Sequence, residues 1–257
     1  VSGTRTYPAK PSDVYLFGTC LIDLFVPEAG LDAVRLLERE GIRVHFPQGQ
    51  SCCGQPAYTS GNPEEAARVA AAQLALFSEP WPLVVPSGSC AGMLRHHWPR
   101  LFENDPALAA QATALAGRVF ELAEFLLHVV RVHLKDRAGH GERITLHTSC
   151  SARREMGTRE HALALLAQLP GVEVVEHARE SECCGFGGTF SLKHPAISGA
   201  MVSDKVDRLI ATGCERMVTA DCGCMLNIRH AAEHAQRELP TEHLASFLWR
   251  HVGGEKA

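Results

Sequence analysis

The sequence predicts an α/β protein built from two pseudo-repeated, Rossmann-like halves with mainly parallel sheets, the cysteine loops lying at the strand C-terminal ends. Three observations carry this. Apolar runs that end near cysteines recur in the same order. Cys-Cys-Gly is written twice, at Cys52-Cys53-Gly54 and Cys183-Cys184-Gly185. The stretches between the apolar runs carry helix start and stop signals.

The repeat sets the order of elements. "VYLFGTC" (Val14 to Cys20) matches "ITLHTSC" (Ile144 to Cys150), and each is a short apolar run ending in cysteine. "IRVHFP" (Ile42 to Pro47) matches "VEVVEH" (Val172 to His177), each shortly before Cys-Cys-Gly. "LVVPSGSC" (Leu83 to Cys90) matches "MVTADCGC" (Met217 to Cys224). The offsets are 130 from Cys20 to Cys150, 131 from Cys52 to Cys183 and 134 from Cys90 to Cys224, as a duplication with small insertions leaves them.

Helices fill the gaps. "PEAGLDAVRLLEREG" starts on Pro27 and an acid and stops at Gly41. "NPEEAARVAAAQLALF" offers Asn62 as N-cap and Pro63 at the first helical position. "ARREMGTREHALALLAQL" and "HPAISGAMVSDKVDRLIATG" take the matching places in the second half. Pro106 to Asp136 reads as mostly helical, "RAGHGER" as a turn before the second half, and Thr241 to His251 as a closing helix. The expected division is a first repeat over 1–104, a helical connection over 105–142, and a second repeat with its C-terminal helix over 143–257.

Composition narrows the chemistry. A 257-residue chain that is 46% hydrophobic has enough apolar surface for one large domain or two small ones. A net charge of −4 gives no reason to expect nucleic acid. The longest apolar candidate, Phe120 to Val132, is interrupted by Glu, His and Arg, so no membrane span is expected. The opening "VSGTRTYPAKPSD" has no signal-like apolar stretch, and a cytoplasmic setting is expected. There, ten cysteines point to metal or redox roles rather than to structural disulfides.

Four cysteines per half fall at strand ends or in the following loops: Cys20, Cys52, Cys53 and Cys90, then Cys150, Cys183, Cys184 and Cys224. Adjacent cysteines rarely bond each other, so both thiols of each pair are better aimed at a common centre. Four thiolates suit a cubane iron–sulfur cluster or a closed zinc site. Matching strands selects Cys224 as the eighth ligand; matching the following helices selects Cys222 instead. Cys214, without a counterpart, reads as a packed small hydrophobe. His147 reads as a satisfied core histidine. Of Arg153 and Arg154, at least one reads as a solvated first helical turn, the other as a candidate for a carboxylate or a thiolate. His96, His97, His230 and His234 receive no role.

The segments "FGTCLIDLFVPEAG", "FPQGQSCCGQPAYTSG", "VPSGSCAGMLRHHWP" and "ECCGFGGTFSLKHPAIS" resemble the cysteine-rich CCG proteins, which include the cysteine-rich polypeptide of heterodisulfide reductase and the iron–sulfur subunit of glycolate oxidase. The resemblance is strongest to the lactate-utilisation protein A group and spans about Val14 to Val252. It implies an iron–sulfur redox subunit of a multi-subunit complex oxidising L-lactate to pyruvate, with a second iron–sulfur subunit and a third lactate-utilisation protein as partners. It also implies one or two clusters, [4Fe–4S] in type, and a cytoplasmic place that is peripheral to the inner membrane through the complex. The family motif ends each repeat in Cys-x-x-Cys. Here Ser87 precedes Cys90 and Asp221 precedes Cys224, so each half lacks that fifth thiolate. Zinc in one half, an oxygen ligand from Asp221, or a fifth thiolate from Cys222 all stay open. Two other readings are a zinc-stabilised assembly subunit and a thiol–disulfide redox subunit like the heterodisulfide enzyme. "GFGG" lacks dinucleotide-binding spacing, so neither a flavin nor a nicotinamide site is expected.

Overall fold

The computed structural model describes residues 5–134 and 141–252. Two four-stranded sheets form, and every strand pair in them is parallel. The first has the order β2-β1-β3-β4, from β1 (Asp13–Leu16), β2 (Arg43–His45), β3 (Leu83–Val85) and β4 (Val119–Glu121). The second has the order β6-β5-β7-β8, from β5 (Glu142–Leu146), β6 (Val172–Val175), β7 (Arg216–Thr219) and β8 (Thr241–His243). Registers match between halves: Val14 pairs with Val44, and Ile144 with Val174. Inner strands of a parallel sheet are covered on both faces, which is why β3 reads Leu-Val-Val and is wholly buried.

Two strands were not expected. The segment 105–142, read as a helical connection, holds the helix Pro106–Ala116 but also β4. The closing segment begins with β8 before its helix Leu244–His251. Each is three residues long, too short for a period-2 pattern to separate from helix. "ARREMGTREHALALLAQL" is also two helices, Cys150–Met156 and Thr158–Leu166, broken at Gly157 with φ of 62°. Most of the "RAGHGER" turn lies outside the described residues.

The halves exchange their last helices. Leu244–His251 packs on Pro27–Arg39 of the first half, and Leu122–Glu124 packs on Thr158–Leu166 of the second. Leu36, Leu37, Phe125, Leu165, Phe247 and Leu248 therefore share one continuous core. Each such side chain contributes about 1.5–3 kcal/mol on burial, so the core joins the halves as well as filling them.

Glu121 and His243 end β4 and β8 and cap the exchanged helices. Glu121 Oε2 accepts from the amides of Ala123 and Glu124 at 2.9 and 3.2 Å, and His243 Nδ1 accepts from Ala245 N at 3.2 Å. Glu121 is fully buried and its Oε1 has no partner, and burial pushes its pKa from 4.5 up to about 8. The folded chain thus holds a proton that the unfolded chain releases. This contribution to stability is complete below about pH 4.5 and lost as pH rises to about 8, by up to about 1.4 kcal/mol per pH unit. Glu121→Gln is expected to flatten that slope in urea melts across this range. An unchanged slope would show that Glu121 does not carry it.

Candidate metal centres

The Cys-Cys-Gly motif has a local cause. Gly54 and Gly185 have φ of 85° and 83°, in the left-handed region that favours glycine. The turn aims the glycine N–H back at the first sulfur of its pair: Gly54 N lies 3.4 Å from Cys52 Sγ, and Gly185 N 3.3 Å from Cys183 Sγ. Both thiols of the pair then face the strand ends beside them.

In the first half, Cys20 opens the helix Cys20–Phe25 after β1, Cys52 and Cys53 lie in the loop after β2, and Cys90 lies in the helix Gly88–Gly92 after β3. Cys20 Sγ is 3.7 Å from Cys52 Sγ, and Cys53 Sγ is 3.4 Å from Cys90 Sγ. In the second half, Cys150 opens its helix after β5, Cys183 and Cys184 follow β6, and Cys224 lies in the first turn of Cys222–His234 after β7. Cys150 lies beside Cys183, and Cys184 beside both Cys183 and Cys224. All eight sequence-selected cysteines thus gather in two groups of four.

Each group shares its protons unevenly. Hydrogen bonds from Cys20 and Cys53 hold the Cys52 thiol well below the ordinary range, and Cys150 and Cys184 do the same for Cys183. The donating thiols Cys20 and Cys150 are pushed up in turn. Four cysteine sulfurs per group make a soft donor set that fits zinc or iron.

The third strand of each half delivers its loop to the other half. Helix Gly88–Gly92 packs on Cys150–Met156 so closely that a Cβ on Gly88 would lie 2.5 Å from Ala152 Cβ. Cys222 occupies the matching place in the second half, and its thiol faces Leu21 O at 3.5 Å, with burial pushing its pKa up to about 12. Asp221 is buried, and its Oδ1 accepts from Ser87 Oγ at 3.2 Å and Ser89 N at 2.9 Å. Both alternates to Cys224 are thus engaged at the seam. The Cys-Cys-Gly loops also meet, through Ser60 and Thr189 and through Gly188 against Pro56.

Around the second group lie cations. Arg153 pairs with buried Glu180, whereas Arg154 lines a cleft of about 630 Å³ with Cys150, Cys183, Arg179, Asp204 and Lys205. Cys214 lies half-buried on the turn after the helix Pro195–Ile210, apart from both groups. His96 and His97 contact Glu155. His147 departs from the expectation of a satisfied core histidine: it is buried, and neither ring nitrogen has a partner. His177 is in the same state. In the repeat His147 stands against Phe17 and His177 against Pro47.

Among the described residues no helix is long and apolar enough to cross a membrane. Comparison with known proteins agrees with the duplicated architecture. The CCG cysteine-rich domain family matches twice, over residues 14–95 and 144–229, and each match spans the first three strands of a half. Lactate utilization protein A of Shouchella clausii is 42% identical over 92% of this chain and 98% of that protein. The protein of the same name from Bacillus subtilis is 41% identical over 91% and 98%. A hypothetical protein from Helicobacter pylori of known structure superposes with a TM-score of 0.66 at 14% identity, covering 98% of this chain and 51% of that one, which shows the shared fold. With two matches that each end in one four-cysteine group, and relatives aligned along nearly their whole length, the chain belongs to the cysteine-rich CCG family, in the group of the lactate utilization A proteins.

Proposed function

We propose that this chain is the iron–sulfur redox subunit of a multi-subunit complex that oxidises L-lactate to pyruvate. The observation that carries the reading is the pair of four-thiol groups on either side of one seam, each with an amide aimed at the first sulfur of its Cys-Cys pair. The relatives' name, lactate utilization protein A, supplies the substrate class. A second iron–sulfur subunit and a third lactate-utilisation protein complete the complex, which is cytoplasmic and peripheral to the inner membrane.

Cys20, Cys52, Cys53 and Cys90 would hold one centre, and Cys150, Cys183, Cys184 and Cys224 the other, both [4Fe–4S] in type. Bound clusters supply one-electron transfer at potentials set by charge and by hydrogen bonds to sulfur. The chain's own part is to donate those hydrogen bonds from Gly54 and Gly185 and to keep the inner sulfurs dry. Arg154 gives the cleft over Cys183 a cation suited to a carboxylate, whereas Arg179 is paired with Glu182 and Asp204 and Lys205 with backbone carbonyls.

A second reading is zinc in one half. The Cys20 and Cys52 sulfurs lie 3.7 Å apart and those of Cys53 and Cys90 3.4 Å apart, two close pairs that an ion with bonds of about 2.3 Å to sulfur could draw together. Iron, sulfide and zinc analysis of anaerobically purified protein separates the two. Iron with sulfide supports the redox subunit, and zinc alone supports an assembly role.

A further inference from the structure

We infer that His147 is a metal ligand of the second centre, so that this centre is a mixed thiolate–imidazole site while the first has only thiolates. The inference rests on the reading of the cysteine groups as metal centres.

The geometry is specific to one half. A ring nitrogen of His147, Cys184 Sγ and Cys224 Sγ all lie within 4.8 Å of one another, and among the described residues no other group of this kind includes a histidine. The imidazole is only 1% exposed, and both of its nitrogens lack a hydrogen-bond partner. Leaving a buried polar group unpaired costs about 1–3 kcal/mol, so such a ring calls for a partner. The neighbours do not provide one. His177, with ring centroids 6.2 Å apart, is itself unpartnered. Lys205 Nζ donates to the carbonyls of Arg179 and Glu180 at 3.0 and 3.4 Å. Thr148 Oγ1 donates to Glu180 at 2.7 Å.

The first half is an internal control. Its matching residue is Phe17, which is buried and has no donor atom to give. The backbone is the same at both places: Phe17 N donates to Val84 O at 2.9 Å and His147 N to Val218 O at 2.9 Å. The strand end therefore presents one side chain toward each cysteine group, and only the second can bind metal.

An imidazole in place of, or beside, thiolates adds no negative charge, and nitrogen ligation raises the potential of iron–sulfur centres. The second centre is then the better electron acceptor of the two. Imidazole serves zinc as well as iron, so the assignment does not depend on which of them binds.

The experiment uses the full chain, purified anaerobically with natural and with 15N-labelled histidine, after metal content per chain is measured for wild type and for Cys184→Ser. If the metal is iron, pulsed electron paramagnetic resonance of the reduced protein is expected to show a 14N coupling that the label converts to 15N. If it is zinc, X-ray absorption is expected to show a nitrogen scatterer at about 2.0 Å beside sulfur. His147→Phe, which installs the first half's residue, is expected to lose the nitrogen signal; with iron, His147→Cys is expected to shift one midpoint potential downward. The wild-type spectra stand even if a variant misfolds. Metal bound in the second group with no nitrogen signal overturns the ligand assignment alone, as does a signal that persists in His147→Phe. Equal metal content in wild type and Cys184→Ser overturns both the assignment and the centre it rests on.

Discussion

Replacing Cys184 with serine is expected to abolish lactate-dependent electron transfer in the assembled complex, whereas Cys53→Ser is expected chiefly to lower yield and thermal stability. Both thiols are buried and both bridge their group, Cys184 to Cys183 and Cys224, Cys53 to Cys52 and Cys90. Their packing is alike: each belongs to an apolar core cluster, and the Cys53 carbonyl accepts from Trp98 Nε1 at 2.9 Å as the Cys184 carbonyl does from Asn227 Nδ2 at 2.9 Å. Metal loss at either removes folding free energy, because binding and folding are coupled. The difference lies at the surface: Cys184 stands next to Cys183, which borders the cleft lined by Arg154. Loss of a thiolate at that position removes the centre nearest to where a carboxylate substrate would sit. Changing even a residue behind a metal ligand costs 10–100-fold, so loss of the ligand itself should exceed about 100-fold in activity per folded complex. Cys53→Ser, whose centre lies away from that cleft, should lose far less activity per folded complex. Equal losses in the two variants, with both folded, would show that the halves are functionally equivalent.

Why the eight cysteines could be found without a structure, and His147 could not, has a physical explanation. Strand ends aim ligands, so aligning Leu83-Val84-Val85 with Met217-Val218-Thr219 places Cys224 against Cys90, and in the folded chain Cys224 joins the second group while Cys222 turns toward Leu21. The first three strands of each half repeat in order, which makes the parallel α/β architecture legible. The fourth strands stay hidden because three residues cannot declare a period. A signal exists nonetheless: "FELAEFL" and "EHLASFL" are a fourth match of the repeat, running from β4 and β8 into the exchanged helices. His147 escapes a sequence reading because an apolar strand context makes a satisfied core histidine the ordinary expectation. Whether a buried ring has a partner is a property of three-dimensional neighbours. The exchange of helices, and the delivery of each third loop to the opposite half, are long-range features that no local pattern encodes.

Gly185→Ala is expected to release metal from the second group and to lower stability by about 2–5 kcal/mol, with Gly54→Ala costing about 1–2 kcal/mol and leaving the first group loaded. Both glycines turn at positive φ, and a side chain there costs about 1–2 kcal/mol in either half. The difference lies in what the new Cβ meets. Both glycines pack on the first turn of a helix further along the chain, Gly54 on Ala66 of Pro63–Leu74 and Gly185 on Ser198 of Pro195–Ile210. At Gly54 the nearest atom is Ala66 O at 3.2 Å, a tight contact that a small shift relieves. At Gly185 it is Ser198 O at 2.7 Å, with Met201 Cβ at 3.1 Å, so backbone must move. That helix is also clamped to the loop, because Ser198 Oγ donates to Gly185 O at 2.9 Å, while Asn227 Nδ2 holds Cys184 O at 2.9 Å from the other side. The loop cannot yield without carrying Cys183 and Cys184 away from Cys150 and Cys224. Overpacking of this kind adds about 1–3 kcal/mol to the conformational cost. Thermal melts with metal content per chain measure both effects. Equal metal retention and equal melting shifts in the two variants would show that the Ser198 contact gives way freely and that the second loop is no more tightly held than the first.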